Sequence, residues 1–294
     1  AAHYYMIPQD SDSMRENLGI EIKSKGTHVF YPLISGEKAI GVLYLKLREE
    51  TELSLTEQEA ISVLVRSISL ALSNLNLIKD LDKALTSLKK TYTETIKILA
   101  ETLDKREHET KNHSQRVALL AVRIGMELNL HQNELVELYW GGLLHDIGKI
   151  AIPDAILLKT GKLTPTEWRI MRRHVEYGYE IVKHLEFLGK GRDVIHYHHE
   201  RWDGTGYPEG LKDGNIPLLA RIFAVADAYD AMISDRPYQK ARSHEEAVEE
   251  IKRNSGTQFD PMVVDAFLKI SKEELMEIRT KLEVKNMPEM KLFD

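Results

Sequence analysis

The residues best placed to do chemistry are a histidine and an aspartate side by side, His145-Asp146, with Lys149 three residues later. They stand where an amphipathic helical pattern ends. Four more histidines and two more carboxylates occupy positions that could converge on this pair: Glu109, His113, His174, His198, His199 and Asp227. Nitrogen and oxygen donors of this kind bind divalent transition metals such as Fe(II), Mn(II), Co(II) and Zn(II). We therefore interpret the set as a metal cluster.

The setting of these side chains favours metal ligands over ordinary core residues. His174 follows Ile170 by four residues, and Asp227 shares a helical stripe with Leu219, so both should face apolar surroundings. A single inward histidine is more often a satisfied core residue, but buried carboxylates without cations are costly. Eight candidate ligands are too many for one ion. We predict two or three metals, iron by preference and manganese as the alternative, with Asp146 as a bridge.

The elements that must position these ligands read as a string of helices over residues 105–294. Helix starts are marked by capping boxes and by an aspartate before proline, at 164–167, 243–246, 271–274 and Asp260. The first box should open the helix that carries His174. Glu109 and His113, four residues apart at the start of another helix, should share one face. Because no comparable strand pattern follows residue 53, we predict an all-α catalytic domain.

A long helix should precede this domain. Apolar residues recur at steps of three and four from Thr56 to about Leu103, with no proline or glycine between them. This spacing predicts one continuous helix over residues 56–104, with a narrow apolar seam of the kind that pairs in coiled coils. We expect a parallel homodimer through this linker helix, which would couple the front of the chain to the catalytic domain. The alternative is a helix that folds back on its own domain.

Residues 1–55 show the alternation of a β-hairpin. Apolar residues occupy alternate positions on both sides of a turn at 35–38: Val29, Tyr31, Leu33, Ile40, Val42 and Tyr44. A hairpin followed by a helix resembles the C-terminal half of a GAF sensory domain, which implies a small α/β domain at the front. A small adapter domain without a ligand is the alternative.

Composition limits the partners of the chain. Its 294 residues allow two domains, and the net charge of -6 offers no basic stripe for a nucleic-acid duplex. The absence of cysteine excludes thiolate ligands, so any metal must be held by histidine and carboxylate. No apolar run approaches the roughly 20 residues that cross a bilayer, and no signal peptide is recognised. We therefore expect no membrane segment in this chain and a cytoplasmic location.

Several motifs carry a resemblance to a known family. His113, the His145-Asp146 doublet and Asp227 follow one another in the order of the HD phosphohydrolase signature. The runs HHERWDGTGYP at 198–208, ADAYDA at 226–231 and SDRPY at 234–238 resemble the HD-GYP branch of that superfamily. The resemblance covers roughly residues 105 to 270. It implies a cyclic di-GMP phosphodiesterase that cuts the ring dinucleotide to linear pGpG, with GMP as an open further product.

One position departs from the family pattern. The family commonly has a non-ligating residue, often tyrosine, four residues before the first histidine, and here that residue is Glu109. A carboxylate that faces the same way as His113 would supply an eighth ligand, so we predict a trinuclear centre. The alternative is that Glu109 caps the helix or pairs with Lys105 or Lys111.

The remaining site residues concern the substrate. Bridged metals would activate a water and clamp the phosphate, so we assign catalysis to Asp146 and to Lys149, which would bind the phosphate. The resemblance implies that Arg236 and Lys240 contact a second phosphate. Tyr207, in a glycine-rich loop, would contact a guanine or only support the loop, and both interpretations stay open.

Asp230, one turn beyond Asp227, should orient a ligand from outside the cluster.

Two alternative functions are consistent with the same residues. A first is an HD enzyme that acts on another cyclic dinucleotide or on a nucleoside phosphate. A second is a catalytically silent receptor that binds cyclic di-GMP and signals through the coiled coil.

Overall fold

The computed structural model describes residues 5–7, 28–47, 53–107, 112–235 and 240–282, with the backbone alone for 5–7. The chain divides into two compact units, residues 1–85 and 86–294. The division falls inside one long helix, α1 (Leu55–Arg106). The predicted domain limits near residues 55 and 104 lie close to the two ends of this helix, and as domain limits they stay a prediction.

The first unit contains a three-stranded antiparallel sheet with β1 (Tyr5–Ile7), β2 (His28–Ser35) and β3 (Lys38–Lys46) in that order. β2 and β3 form the predicted hairpin, and alternate residues of β2 are buried in a small core shared with Val65 of α1. The hairpin is therefore confirmed. A sheet of this size does not by itself identify a GAF-like domain.

Helix α1 runs for 52 residues without a break, which confirms the predicted long helix. Many of its apolar side chains are exposed, for example Leu75 at 62% and Ile78 at 64%. Among the described residues, α1 is also the one helix with the length and composition of a membrane span, with a mean hydropathy of 1.6 over 18 residues. Length and composition alone are weak grounds for a span, so the expected absence of a membrane segment stays a prediction.

After α1, the described part of the second unit contains ten α-helices and no β-strand. The helices are α2 (His113–Glu127), α3 (Gln132–Leu143), α4 (Asp154–Leu157), α5 (Pro165–Arg172), α6 (His174–Val182), α7 (Gly191–Tyr197), α8 (Leu218–Met232), α9 (His244–Arg253), α10 (Pro261–Phe267) and α11 (Lys272–Lys281). Short 3-10 helices span Ile147–Ala151, Glu186–Leu188 and Asp213–Asn215. The predicted helical character of this domain is confirmed.

Helices α2, α3 and α8 form the centre of this unit. Leu120 of α2, Leu138 of α3 and Phe223 of α8 are fully buried in one apolar cluster. Burial of each such side chain stabilises the fold by roughly 1.5–3 kcal/mol. Because these three helices carry or precede His113, His145 and Asp227, the same core that holds the helices also holds those ligands.

Four helices start where the sequence predicts. The side chain of the residue before each helix accepts a backbone N–H of its first turn, at Thr164, Ser243, Asp260 and Ser271. Such caps satisfy donors that the helix itself leaves unpaired. Short local patterns were therefore sufficient to locate these four starts.

The helix predicted to run from the first of these caps through His174 is instead two helices. α5 ends at Arg172 and α6 begins at His174, because the chain makes a tight turn in which the Arg173 N–H donates to the Ile170 carbonyl. The prediction of one helix was therefore wrong. The break lets the His174 ring turn back toward the Met171 carbonyl, 2.7 Å from Nδ1.

The structure also describes where the helix that carries His113 begins. α2 begins at His113, and Asn112 before it has a left-handed backbone with φ of 60°. The helix face that the sequence predicts Glu109 and His113 to share stays a prediction. Glu109 itself lies outside the described residues.

Candidate metal centre

Six of the eight predicted ligands form two compact groups. One group consists of His174, His198 and His199, and the other of His113, His145 and Asp227. Within each group, one potential ligand atom per residue lies within 4.8 Å of the others. We call them the histidine group and the mixed group. Each group has the size and donor chemistry that would hold a divalent ion.

Asp146 lies between the two groups. One carboxylate oxygen, Oδ2, is 3.0 Å from His145 Nε2 in the mixed group. The other, Oδ1, is 3.3 Å from His174 Nε2 and 4.0 Å from His198 Nε2 in the histidine group. The two oxygens of one side chain thus face different groups, which is the geometry that the predicted bridge requires.

Four of the histidines are held so that Nε2 faces the centre. The Nδ1 atoms of His145, His174 and His198 lie 2.7–3.0 Å from backbone carbonyls, and Nδ1 of His113 lies 3.0 Å from Asp230 Oδ2. Since these partners can only accept, Nδ1 must carry a proton, and in the neutral ring the lone pair is on Nε2. Outer partners of this kind fix metal-binding histidines in many proteins.

Unsatisfied atoms support the same interpretation. Among the described residues, Nε2 of His174 and Nε2 of His198 are buried without a hydrogen-bond partner. Buried polar atoms are nearly always paired, and a cation between these rings would give both atoms a partner. The residues present therefore fit a divalent metal.

The two groups differ in their electrostatics. Burial lowers the pKa of all three residues in the histidine group, to about 3 for His199. Burial also opposes charge on His145, but the Asp146 carboxylate outweighs it and raises the pKa to about 9. In the same way, hydrogen bonding to Asp230 and the charge of Asp227 outweigh burial and raise the pKa of His113.

Lys149 is coupled to the centre through two carboxylates. Its Nζ atom lies 2.7 Å from Asp146 Oδ2 and 2.7 Å from Glu107 Oε2. Burial disfavours the charged lysine, but the two carboxylates outweigh burial and raise its pKa. Burial is also the main reason that the pKa of Glu107 rises to about 7. Lys149 therefore stays cationic while Glu107 can exchange a proton near neutral pH.

The C-terminal end of α1 is hydrogen-bonded to the segment that carries Lys149. Arg106, the last residue of the helix, donates to the carbonyl of Ile150 at 3.2 Å and to Asp154 Oδ1 at 2.6 Å. Glu107, which follows, binds Lys149 itself. The long helix is thus joined directly to the 3-10 helix beside the metal ligands.

Asp230 is the outer support of the mixed group, as predicted from its position. Its fully buried carboxylate accepts from His113 and also from Arg116 at 2.9 Å and Arg279 at 3.0 Å. Burial opposes its charge, but these hydrogen bonds dominate and keep its pKa well below the usual range. Arg279 lies on α11, so the last described helix also supports this ligand.

Gly148 lets the two halves of the centre approach each other. A Cβ at this position would overlap the His174 carbonyl and the backbone nitrogen of Gly178. The 3-10 helix that follows Asp146 therefore packs backbone against backbone on α6. Only glycine permits this contact, which brings Asp146 next to His174.

The glycine-rich loop lies over the histidine group. The ring of Tyr207 stacks on His199 with centroids 4.7 Å apart. Gly206 lies so close to the backbone of His199 and Arg201 that a Cβ could not be accommodated. Glu200, which is buried, accepts the N–H groups of Glu209 and Gly210 at 2.8 and 3.0 Å and so closes the loop.

A sequence match that spans this centre identifies the family of the chain. The family described as "HD domain" matches residues 76–263, which is more than half of the chain. The chain belongs to the HD domain family. Every described ligand of both groups, and Asp146 between them, falls within the matched residues.

Curated members of this family extend the similarity. The chain is 44% identical over 209 residues to a cyclic di-GMP phosphodiesterase of Thermotoga maritima, covering 67% of this chain and 57% of the relative. It is 37% identical over 243 residues to the 3'3'-cGAMP-specific phosphodiesterase 2 of Vibrio cholerae, covering 82% of this chain and 45% of the relative. The cyclic di-GMP phosphodiesterase response regulator RpfG of Xanthomonas campestris pv. campestris is 42% identical over 178 residues, covering 60% and 47%. These similarities confirm the predicted resemblance to the HD-GYP branch, and the chain spans about half the length of these relatives.

The structure brings most of the predicted site residues together, but it does not describe all of them. It brings seven of the eight predicted ligands together, with Lys149 and Tyr207 beside them. Glu109 and Arg236 lie outside the described residues, and the side chain of Lys240 is exposed at the edge of that second gap.

Sequence reasoning missed Glu107, Glu200, Arg116 and Arg279. Glu107 sits in a run of alternating charges at a helix end, which resembles a solvated surface. Arg279 is 49 residues from Asp230 along the chain, so no local spacing joins them. Only for Glu200, within the family motif, did the sequence contain a usable signal.

Proposed function

We propose that this chain is the catalytic part of a metal-dependent phosphodiesterase that hydrolyses cyclic di-GMP to pGpG, with GMP as an open further product. The observation that carries the proposal is the pair of ligand groups joined by Asp146. Similarity to curated cyclic di-GMP phosphodiesterases supports the choice of substrate.

The histidine group and the mixed group would each hold one metal, with Asp146 as the shared ligand. Iron is preferred and manganese is the alternative, because the donors are nitrogen and oxygen only. We further propose a third metal, held with the help of Glu109. When bound, the metals supply a water of lowered pKa and positive charge next to the phosphate.

Lys149 is the proposed catalytic cation. Its ammonium would donate to a phosphoryl oxygen and so offset the charge that develops there during hydrolysis. Asp146 and Glu107 hold Nζ in place from two sides, which limits its freedom before substrate binds. Because the pKa of Glu107 is about 7, this carboxyl can return a proton to Lys149 if the lysine protonates the leaving oxygen.

The other substrate contacts are proposed at the open side of the centre. Tyr207 would touch a guanine, since its ring covers His199 and borders the centre. Arg236 and Lys240 would bind the second phosphate. Their positions in the sequence, next to the end of α8, support this assignment.

Product identification tests the proposal. The chain is purified without oxygen, its metals are quantified by elemental analysis, and cyclic di-GMP is incubated with it and separated by liquid chromatography. We expect metal-dependent formation of pGpG, and loss of product in Lys149→Met with the metal content retained. Bound but intact cyclic di-GMP in the metal-loaded chain would favour the silent receptor instead.

A second candidate substrate has its own support. The relative that covers the largest share of this chain among those described above is a 3'3'-cGAMP-specific phosphodiesterase. A turnover panel of cyclic di-GMP, 3'3'-cGAMP and cyclic di-AMP distinguishes the two. The proposed function predicts the highest kcat/KM for cyclic di-GMP.

The front of the chain has a proposed regulatory role. We propose a partial GAF-like domain over residues 1–55, a linker helix over 56–104 that pairs with a second copy, and a catalytic domain over 105–294, all in the cytoplasm. Exposed leucines and isoleucines along α1 support pairing, since unpaired apolar surface is unfavourable in water. The hydrogen bond from Arg106 to the 3-10 helix would transmit a conformational change in the linker helix to Lys149.

A further inference from the structure

A cavity of about 610 Å³ is lined in part by Tyr207. The ring of Tyr207 also stacks on His199, so one aromatic side chain belongs both to the cavity wall and to the cover of the histidine group. The cavity is walled by α5, the start of α6 and the loop at Pro208. Its volume is that of a small-molecule site. A group in this cavity would therefore lie one ring away from the metal ligands.

Arg172 is a wall residue that lies over the ring of Tyr207. Its guanidinium carbon lies 5.1 Å from the centre of the Tyr207 ring. Among the described residues, no carboxylate lies within ion-pair distance of Arg172, whereas neighbouring Arg173 faces Glu176 at 3.3 Å. A guanidinium without a carboxylate partner has N–H groups that a ligand can accept from.

Trp168 lies one helical turn before Arg172 on α5, on the same face of the helix. Its side chain lines the cavity and is 48% exposed. A large apolar ring that stays half exposed at a cavity wall offers a stacking surface for a flat ligand. The cavity thus combines a planar apolar surface with a planar set of donors.

These two features match a purine base better than a phosphate. A phosphate would need positive charge but no stacking surface, whereas a base uses both. Among purines, guanine presents two acceptors, O6 and N7, that a guanidinium edge can bind together, while adenine has a donor at the corresponding position. The chemistry of the wall therefore favours guanine over adenine.

We propose that this cavity is a guanine subsite of the substrate-binding surface, in which Trp168 stacks on the base and Arg172 donates to O6 and N7. The inference rests on the proposed function, and it names the residue that sets the preference between cyclic dinucleotides. Arg172 is a specificity-determining residue in this account, and Trp168 contributes affinity without discrimination.

The test compares Arg172→Met and Arg172→Lys on the full chain. Dissociation constants for cyclic di-GMP, 3'3'-cGAMP and cyclic di-AMP are measured by calorimetry on the metal-free protein, where no turnover occurs. The same three ligands are then compared by kcat/KM on the metal-loaded protein. Both variants should lose on the order of tenfold in affinity for cyclic di-GMP and almost none for cyclic di-AMP. The Arg172→Lys variant cannot restore the preference, because an ammonium lacks the two parallel donors.

Trp168→Ala provides an independent arm. It should weaken all three ligands by a similar factor, on the order of tenfold, because every base has a face to stack. Arg253→Met is the matched control, since Arg253 also ends a helix, is 74% exposed and pairs only with Glu250 among the described residues. The control should leave every constant unchanged.

Two outcomes would overturn the inference while the proposed function stands. One is an equal loss for all three ligands that Arg172→Lys restores, which would mean that Arg172 binds a phosphate. The other is no change in Arg172→Met relative to the control. A wild-type chain that neither binds nor cleaves any of the three would overturn the proposed function as well, so the two failures are distinguishable.

Discussion

The two ligand groups of this protein would both bind a cation, but the pKa values of their histidines are shifted in opposite directions. The histidine group consists of three neutral rings whose pKa values are lowered by burial. The mixed group contains a carboxylate and two histidines whose pKa values are raised by nearby carboxylates. One group is therefore ready for a cation at neutral pH, whereas the other must first give up the proton of His145. The difference shows that converging histidines do not make equivalent sites, because the charges around them decide their state.

The largest expected effect comes from the residue that the two groups share. Asp146→Asn removes the charge that faces both groups, so we expect metal loss from both and a fall in turnover of more than about a hundredfold. Metal content and kcat measured on the same preparation check this prediction. Asp260→Asn, a buried carboxylate that pairs with Arg221 away from the centre, is the matched control and should keep its metals. Full metal content in Asp146→Asn would contradict the bridging role.

A smaller effect is expected when only one group is damaged. His198→Ala should remove the metal of the histidine group, and His113→Ala that of the mixed group, because each ring belongs to one group. We expect each variant to contain one metal per chain fewer than the wild type. Elemental analysis of the two variants and of the double variant checks whether the losses add. Loss of both metals in His198→Ala alone or in His113→Ala alone would show that the groups are not separate sites.

The support of the mixed group offers a finer comparison. Asp230→Asn keeps the size of the side chain but weakens its hold on His113, so metal affinity of the mixed group should fall about 10- to 100-fold. The histidine group has no contact with Asp230 among the described residues and should keep its affinity. Competition with a chelator measures both. Because Arg116 and Arg279 also lose a charged partner, thermal unfolding should be recorded to separate lost stability from lost affinity.

The smallest expected effect is the release of protons when metal binds. At pH 7.5 the metal-free mixed group holds a proton on His145, whose pKa is about 9, while His199, with a pKa of about 3, holds none. Metal binding should therefore release protons from the mixed group only, and its affinity should rise as pH increases toward 9. Calorimetry in buffers of different ionisation enthalpy measures the release. The proton release should persist in His198→Ala and vanish in His113→Ala. The reverse result would contradict the assignment of the release to the mixed group.

The same pKa shifts predict how pH changes the stability of the metal-free chain. The unfolded chain binds more protons than the folded one wherever a histidine pKa is lowered, so His199 costs stability as pH falls below about 6.5. His145 has the opposite sign, since its raised pKa gives stability that is lost as pH rises through about 9. His199→Gln should flatten the acid side of the melting curve and His145→Gln the alkaline side.

Sequence patterns located helices and ligands well where the cause is local. A capping residue such as Thr164 acts within one turn of the chain, and the ligand histidines lie at or next to the ends of helices whose apolar spacing is visible in the sequence. Patterns failed where the backbone leaves its regular path. The turn at Arg173 puts His174 at the start of a new helix, and the left-handed Asn112 precedes the helix that starts at His113. No periodicity predicted either feature.

Partners that are distant in the sequence were also out of reach. Glu107 is 42 residues from Lys149, and its role depends on α1 ending beside the 3-10 helix. Nothing in the sequence around Gly148 indicates a tertiary role, whereas the structure shows that it permits the contact with α6. In both cases tertiary packing assigns a function to a residue whose local context is ordinary.

The most direct test of the account is the number of metals bound per chain together with the product formed. Anaerobically purified wild-type protein should contain at least two metals per chain and convert cyclic di-GMP to pGpG, and Asp146→Asn should lose both properties together. One metal per chain with full turnover would contradict the two joined groups. Two metals without pGpG would contradict the proposed reaction.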